Sequence, residues 1–404
     1  MTMPMKPQPA SSPAPMAMPQ APLDIADTRD GSGTSWLPDE SLMAGPMFHG
    51  PSWMFMVHWN AFAQFAKTQG DRGDRQVGSV NWLMAMAQRN AGGGLFSARV
   101  MLSAEPLTVG KCGYPNLLQT GESCNGLRLH DRQHPHDVFM ELAADYRKAI
   151  TQTVAFEFYG GLAGEPALGP VAFPHRASAM PNPTAPISHH WLDSSHISFG
   201  VLTGGLYGRK WKAEGSIFNG REPDDQRYGF DLAALDSYSG RLWVMPTPRL
   251  ALQISAGHLN EAEREADGHA ENVDRVTASA MYHRLVRSRL WATTIAWGRN
   301  SAHDTPTSAF LAETALDLTA RDQWFGRVEV TGKTNDDLVL AQTKAQTFTV
   351  AKLQTGYTRW LPWEKVRTGI GGSVGLSAVP SDLRPTYGSR APFDFTLFLT
   401  IRPR

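Results

Sequence analysis

Two histidine-rich stretches contain residue types and spacings suited to metal binding. They are HDRQHPHD at residues 130–137 and SHHWLDSSH at residues 188–196. Neutral imidazole and carboxylate groups suit Zn(II), Cu(II) or Ni(II), so Cu or Zn is the cofactor to consider. The candidate ligands are His130, His134, His136, Asp137, His189, His190, Asp193 and His196. The alternative is structural, with histidines hydrogen-bonded to carbonyl groups to hold a long loop, since histidine-rich tracts are only compositional evidence.

Catalysis receives little support from the same residues. Ser195 and His196 are adjacent, and neighbouring residues of a strand point to opposite faces, which does not suit a nucleophile and its base. The sequence contains neither G-x-S-x-G nor H-E-x-x-H. We therefore expect no enzyme, and an outer-membrane hydrolase is the least favoured alternative.

Composition limits the partners and the compartment. The 38 basic residues balance the 38 acidic ones, so no net field favours nucleic acid as a partner. Only two cysteines occur, Cys112 and Cys124, and their spacing favours one disulfide over two free thiols. A disulfide indicates an oxidising compartment, although no apolar run typical of a signal peptide is visible at the N-terminus.

Alternation with period two begins at residue 52 and predicts β-strands. In DVFMELAADYR, Val138, Met140 and Leu142 share one face, whereas Glu141 and Asp145 share the other. Sixteen such segments follow one another between 52–66 and 392–402, most of them long enough to cross a bilayer as tilted strands. No run of about 18 apolar residues suggests a transmembrane helix.

The connections between these segments alternate strictly between short and long. Short ones such as PTPR at 246–249 are each followed by a long one, such as 107–136, 163–195, 259–273 or 299–306. Outer-membrane barrels have short periplasmic turns and longer outer loops, whereas a soluble sandwich has no reason to keep this pattern. Tryptophans near strand ends suit a membrane interface, although a soluble β protein could hold them in its core.

This pattern resembles bacterial outer-membrane β-barrels of the porin type over about 350 residues. The predicted fold is all-β, a single antiparallel transmembrane barrel of about 16 strands (14 to 18) over 52–404. The C-terminal FLTIRPR departs from the aromatic ending common in such barrels. The resemblance implies a Gram-negative outer membrane, both termini in the periplasm, lipid contact and passage of small hydrophilic solutes.

A barrel of 16 strands is wide enough for an aqueous channel, and the charged face should line it. The predicted lumen residues are Arg99, Glu141, Asp145, Arg147, Glu157, Glu313, Asp317, Arg327 and Glu329. Charges of both signs suit either a hydrated pore or an internal salt-bridge network, so they predict no ion selectivity. The third long loop, the Pro-rich segment 163–195, is expected to form a stiff constriction.

Residues 1–51 are rich in Pro, Ala and Ser and predict a disordered or extended periplasmic arm. Its candidate soft-metal ligands are Met1, Met3, Met5, Met16 and Met18. Thioethers select Cu(I), and a Met-rich arm resembles those of copper-resistance proteins, although methionine in a low-complexity segment can be incidental. The sequence thus predicts an outer-membrane channel linked to metal efflux or resistance, with copper as the candidate metal. A closed surface-binding or adhesion barrel is the alternative.

Overall fold

Sixteen antiparallel strands close into one barrel. The computed structural model describes residues 19–42, 44–264, 270–302, 305–341, 346–363 and 366–403. The barrel strands are β2 Met54–Thr68, β3 Arg75–Ala91, β4 Gly94–Leu102, β7 Phe139–Ala149, β8 Ala155–Ala163, β9 Val201–Tyr207, β10 Trp211–Phe218, β11 Ser237–Thr247, β12 Leu250–Arg264, β13 Ala270–Val286, β14 Arg289–Ala302, β15 Thr305–Asp317, β16 Asp322–Thr334, β17 Thr347–Trp360, β18 Arg367–Ala378 and β19 Phe393–Arg402. The predicted all-β barrel and its sixteen strands are confirmed.

Closure is made by the first and last barrel strands. β19 pairs with β2 in antiparallel register, from Asp394 opposite Thr68 to Ile401 opposite Ala61. β4 pairs directly with β7, because the intervening strands β5 Tyr114–Cys124 and β6 Leu127–Gln133 form a separate hairpin. A short strand, β1 Met47–His49, pairs with the start of β2.

The helices are short and lie in the connections. They are α1 Glu105–Thr108, α2 His189–Leu192 and α3 Arg384–Tyr387, with 3-10 turns at Pro22–Asp24, Asp27–Arg29, Ser194–His196 and Ser381–Leu383. Among the described residues, no helix is both long and apolar enough to cross a membrane.

Side chains alternate between the wall's two faces as the pleat requires. In β17, Val350, Lys352 and Gln354 point inward and are buried, whereas Leu353 and Tyr357 point outward and are exposed. The outward face of the neighbouring strands is similarly apolar, which suits contact with lipid.

Two predicted long loops are shorter than expected, because the strands continue. Segment 259–273 is strand up to Arg264 and again from Ala270, and 299–306 is strand up to Ala302 and again from Thr305. The inward-facing Leu259, Ala262 and Val273 pack around Leu168. This apolar contact explains why the backbone ladder extends into a polar stretch of sequence.

Three segments occupy the lumen. They are the β5–β6 hairpin, the third loop (residues 164–200) and the N-terminal segment (residues 19–46, without residue 43). In the hairpin, Leu117 and Leu118 pack with Ile187 of the third loop and with Val350 of the wall. Cys112 and Cys124 form a disulfide at the hairpin's base, with their Cα atoms 5.4 Å apart.

The N-terminal segment differs from the expected disordered arm over the residues that the structure describes. Asp30 forms a two-pronged ion pair with Arg147 at 2.9 and 3.0 Å, and Trp36 is buried against Tyr207 and Met245. The carbonyl oxygens of Gly33 and Thr34 accept hydrogen bonds from Arg99 at 2.8 Å and Lys212 at 2.5 Å. These contacts offset the conformational entropy that the segment loses on docking. The prediction of disorder from composition considers only the segment itself and does not include such contacts.

Candidate metal centre in the lumen

The two histidine-rich stretches meet inside the barrel. Residues 134–137 lead into β7, while α2 and the 3-10 turn Ser194–His196 carry the other stretch. The ring centroids of His136 and His196 lie 5.4 Å apart, and those of His189 and His196 lie 5.2 Å apart. His134 and His190 extend the cluster, with their centroids 6.4 Å apart. We call these five residues the histidine cluster.

Three of the imidazoles are oriented by an oxygen acceptor on Nδ1. His136 Nδ1 lies 2.9 Å from Glu105 Oε2, and His189 Nδ1 lies 2.8 Å from Asp193 Oδ1. His196 Nδ1 lies 2.7 Å from the backbone oxygen of Asp193. An ionised carboxylate or a carbonyl group only accepts, so each Nδ1 carries the hydrogen and each neutral ring keeps its lone pair on Nε2. This is how metal-binding histidines are commonly oriented.

Two of these three rings have an Nε2 atom available for a ligand. The Nε2 atoms of His136 and His196 are buried and have no hydrogen-bond partner in the part of the chain that the structure describes. A cavity of about 30 Å³ is lined by His134, His136, His189 and His196. That volume suits one or two water molecules or a single ion.

The cluster is not preassembled as a complete coordination shell. Within the described residues, no three His, Cys, Asp or Glu side chains are placed to hold one ion as they stand. Three imidazoles on one tetrahedral ion have centroids about 5 Å apart, given metal–nitrogen distances of about 2 Å. Two of the three separations, 5.2 and 5.4 Å, are close to this value.

Burial sets the charge of the cluster. It lowers the pKa of His189, partly opposed by Asp193, and holds the pKa of His196 and of His134 well below the usual range. Burial also lowers the pKa of His136, but the adjacent Glu105 carboxylate outweighs it and raises that pKa overall. His189 and His196 are therefore neutral at pH 7, which is the form that binds metal.

The other predicted ligands occupy different positions. His130 lies on the β5–β6 hairpin and pairs with Asp131 at 2.9 Å. Asp193 accepts a hydrogen bond from His189 on Oδ1, and from Arg176 and the Phe173 backbone N–H on Oδ2. Its contacts therefore orient a candidate ligand. Asp137 lines the cavity and faces Arg227 at 3.3 Å. The predicted soft-metal methionines Met1, Met3, Met5, Met16 and Met18 lie outside the described residues.

The third loop is anchored to the wall by buried charge. Arg176, which is fully buried, pairs with Asp193 at 2.8 Å and with Glu313 of β15 at 2.5 Å. Arg327 of β16 pairs with the second oxygen of Glu313 at 3.0 Å. This network places Asp193 and therefore the Nδ1 atom of His189.

Glycine permits α2 to approach the wall closely. A Cβ atom on Gly298 of β14 would lie 2.1 Å from the backbone oxygen of Trp191. Trp191 Nε1 also donates a hydrogen bond to Thr307 of β15 at 2.9 Å. Both contacts fix the helix that carries His189 and His190.

The predicted lumen residues all face inward and are buried. Their ion pairs are Arg99 with Glu141, Arg147 with Asp145 and Asp30, Lys212 with Glu157, Arg327 with Glu313, and Asp317 with Arg367. Glu329 instead accepts hydrogen bonds from the backbone and hydroxyl of Ser188. The charges thus form an internal network of ion pairs and hydrogen bonds.

Sequence reasoning missed three neighbours of the cluster. Glu105 orients His136, Glu222 lies 3.2 Å from His190 Nδ1, and the Phe173 ring packs between His136, His189 and His196. None of the three lies in either histidine-rich stretch, so no spacing within those stretches indicates its role. Only the tertiary fold could have identified them.

Comparison with known proteins supports the fold. No protein-family model and no curated protein matches the chain. Among solved structures, it is similar to an anion-selective porin from Comamonas acidovorans (TM-score 0.53, 7% identity, 87% of this chain and 99% of that chain). It is also similar to OmpF of Salmonella typhi in complex with daunomycin (TM-score 0.53, 8% identity, 88% and 100%). The chain thus has a porin-like barrel fold.

Proposed function

We propose that this protein is a porin-like outer-membrane channel that handles metal ions, with the histidine cluster as the binding centre for Zn(II) or Cu(II). The observation that carries the proposal is the common orientation of His136, His189 and His196. Nδ1 of each ring is held by an acceptor, and all three rings line one small cavity. Purely structural histidines have no need to leave buried Nε2 atoms without a partner.

The position of the cluster supports a link between metal binding and passage. The cluster lies on the third loop and at the entry to β7, and the third loop crosses the lumen to β14, β15 and β16. An ion bound by His136 and His196 would tie that loop to the start of β7. Small hydrophilic solutes or the metal ion itself are the permeants that such a barrel would admit.

The second candidate is a closed surface barrel that binds a ligand without conducting. The observation in its favour is that the hairpin, the third loop and the N-terminal segment all occupy the lumen. The two functions differ in whether the protein conducts.

Single-channel recording of the refolded protein in a planar bilayer tests the proposal. We expect discrete open steps that micromolar Zn(II) or Cu(II) blocks. The variant His136→Gln/His196→Gln should still conduct, with the blocking concentration raised about tenfold or more. His130→Gln is the matched control, since His130 lies outside the cluster, and it should be blocked like the wild type.

Two results would contradict parts of the proposal. If metal changes the conductance of none of the three proteins, metal binding is contradicted, and the protein is a porin-like channel with structural histidines. A silent bilayer, with a folded barrel shown by heat-modifiable mobility in gels, would reject the channel and favour the binding barrel.

A further inference from the structure

A second group of metal-binding side chains lies on the inner wall, separate from the histidine cluster. His58 on β2, Met84 on β3 and Met101 on β4 stand directly opposite one another in the strand register. They form one row across three strands and point into the lumen. Met56 and Met86 form the adjacent row on β2 and β3.

The third loop adds a second imidazole to this row. His175 Nε2 lies 3.2 Å from Met101 Sδ, and His58 Nε2 lies 3.0 Å from Met84 Sδ. The centroids of the two imidazole rings are 5.8 Å apart. Nitrogen and sulfur ligands of one ion lie about 2.0 and 2.3 Å from it, so they are about 3 to 4 Å apart. The two pairs already have this separation.

An aromatic ring completes the surroundings. Trp82, two residues before Met84 on the same face of β3, lies against both imidazoles, with centroid distances of 5.3 Å to His58 and 4.9 Å to His175. An indole ring attracts a cation placed over its face. A lumen wall is normally polar, so thioethers and an indole clustered on neighbouring strands are unusual for this face.

This second group of side chains borders a cavity that is larger than a single ion requires. The cavity has a volume of about 250 Å³ and is lined by Met56, His58, Trp82, Met84, Met86, His175 and Met180 among others. It also reaches Arg367 and Arg402 at the ends of β18 and β19. Arg99 lines it too, but its charge is balanced by Glu141 at 3.3 Å.

We propose that His58, Met84, Met101 and His175 form a binding site for a soft monovalent cation, Cu(I), in the lumen. Thioether sulfur selects Cu(I) over harder ions, and neutral imidazole complements it. A role in transport rests on the proposed channel function, whereas binding itself does not.

Silver is the probe, because Ag(I) shares the soft ligand preference of Cu(I) and does not change oxidation state in air. Binding of Ag(I) to the full chain is measured by equilibrium dialysis in chloride-free buffer. The test variant is Met84→Leu/Met101→Leu, in which leucine keeps the volume and removes the sulfur. Met245→Leu is the matched control, because Met245 is equally buried but packs against Trp36 in another cluster.

We expect the wild type and Met245→Leu to bind one more equivalent of Ag(I) than Met84→Leu/Met101→Leu. Any binding by the N-terminal methionines is common to all three proteins and cancels. His136→Gln/His196→Gln should keep the full Ag(I) stoichiometry, which separates this site from the histidine cluster. Equal Ag(I) stoichiometry in all variants would overturn the proposal. The His58–Met84 and His175–Met101 contacts would then be N–H···S hydrogen bonds without a role in metal binding.

A measurement without substitution covers the case in which the double variant does not fold. X-ray absorption of the wild type, loaded with one equivalent of Ag(I), should show both sulfur and nitrogen ligands. Residues 1–18 contain no histidine, so an ion held there would have no imidazole neighbour, and a shell without nitrogen would overturn the proposal. Ag(I) binding in a protein that does not conduct would keep the site and reject only its role in transport.

Discussion

His189 donates its Nδ1 hydrogen to Asp193 across 2.8 Å, and this contact connects the histidine cluster to the barrel wall. The second oxygen of Asp193 accepts from Arg176, which in turn pairs with Glu313 of β15. The orientation of a candidate metal ligand therefore depends on a charge network that continues into the strands. Four predictions follow from this network and from the segments that occupy the lumen.

Replacing Arg176 by methionine should release the third loop. The change leaves the carboxylates of Asp193 and Glu313 buried without this partner, which costs about 3–5 kcal/mol of loop docking. Hydrogen exchange, followed by mass spectrometry, should become faster in residues 164–200 and stay slow in β15 and β16. Arg128→Met is the control, because its ion pair with Asp336 is partly exposed and contributes only about 0–1 kcal/mol. Equal exchange in both variants would contradict the anchoring role.

Replacing Gly298 by alanine should weaken metal binding without altering a ligand. The added Cβ would lie 2.1 Å from the Trp191 backbone oxygen, so α2 must move and carry His189 with it. We expect Zn(II) affinity, measured by competition with a chelating dye, to fall about tenfold. Gly204→Ala is the control, since a Cβ there meets no atom within 4 Å. Unchanged affinity in Gly298→Ala would show that α2 does not position the site.

Alkaline pH should loosen the contact between the third loop and the N-terminal segment. Burial raises the pKa of Glu165 to about 7, with Arg241 opposing, and the side chain packs against Gly33. In the unfolded chain the pKa of a glutamate carboxyl is about 4.3, so the folded state holds this proton more tightly. The stabilising effect of the bound proton is complete below about pH 4.3 and is lost as the pH rises through about 7. After correction for the faster intrinsic exchange at higher pH, the protection factors of residues 19–42 should therefore be lower at pH 8 than at pH 6. Glu165→Gln should reduce this difference, and an undiminished difference would assign it to other groups.

Replacing Trp36 by alanine should detach the N-terminal segment from the wall. Trp36 is buried with Tyr207, Trp243 and Met281, and its loss should cost about 3–5 kcal/mol of docking. We expect larger conductance steps in a planar bilayer, because the N-terminal segment would no longer occupy this side of the lumen. Trp363→Ala is the matched control, as Trp363 is exposed. Equal step sizes in the two variants would show that this segment does not limit passage.

The barrel could be predicted from sequence because its signal is local and repeated. Alternating faces and alternating loop lengths predict sixteen strands, and the two histidine-rich stretches stand out as candidate ligands. The filling of the lumen could not be predicted in the same way. Gly33 and Thr34 dock through backbone oxygens, which every residue has, so their sequence gives no sign of it. The Met84, Met101 and His175 group depends on strand register and on the course of a loop, neither of which has a spacing signature.

The N-terminal segment precedes the barrel in sequence but contacts strands from much later in the chain. Glu40 pairs with Arg249, and Ser41 hydrogen-bonds to His283 of β13. These contacts span 209 and 242 positions of sequence, so they exist only when this part of the wall is in place. The position of the N-terminal segment is therefore determined by strands remote from it in sequence, and a defect in β12 or β13 would also displace this segment.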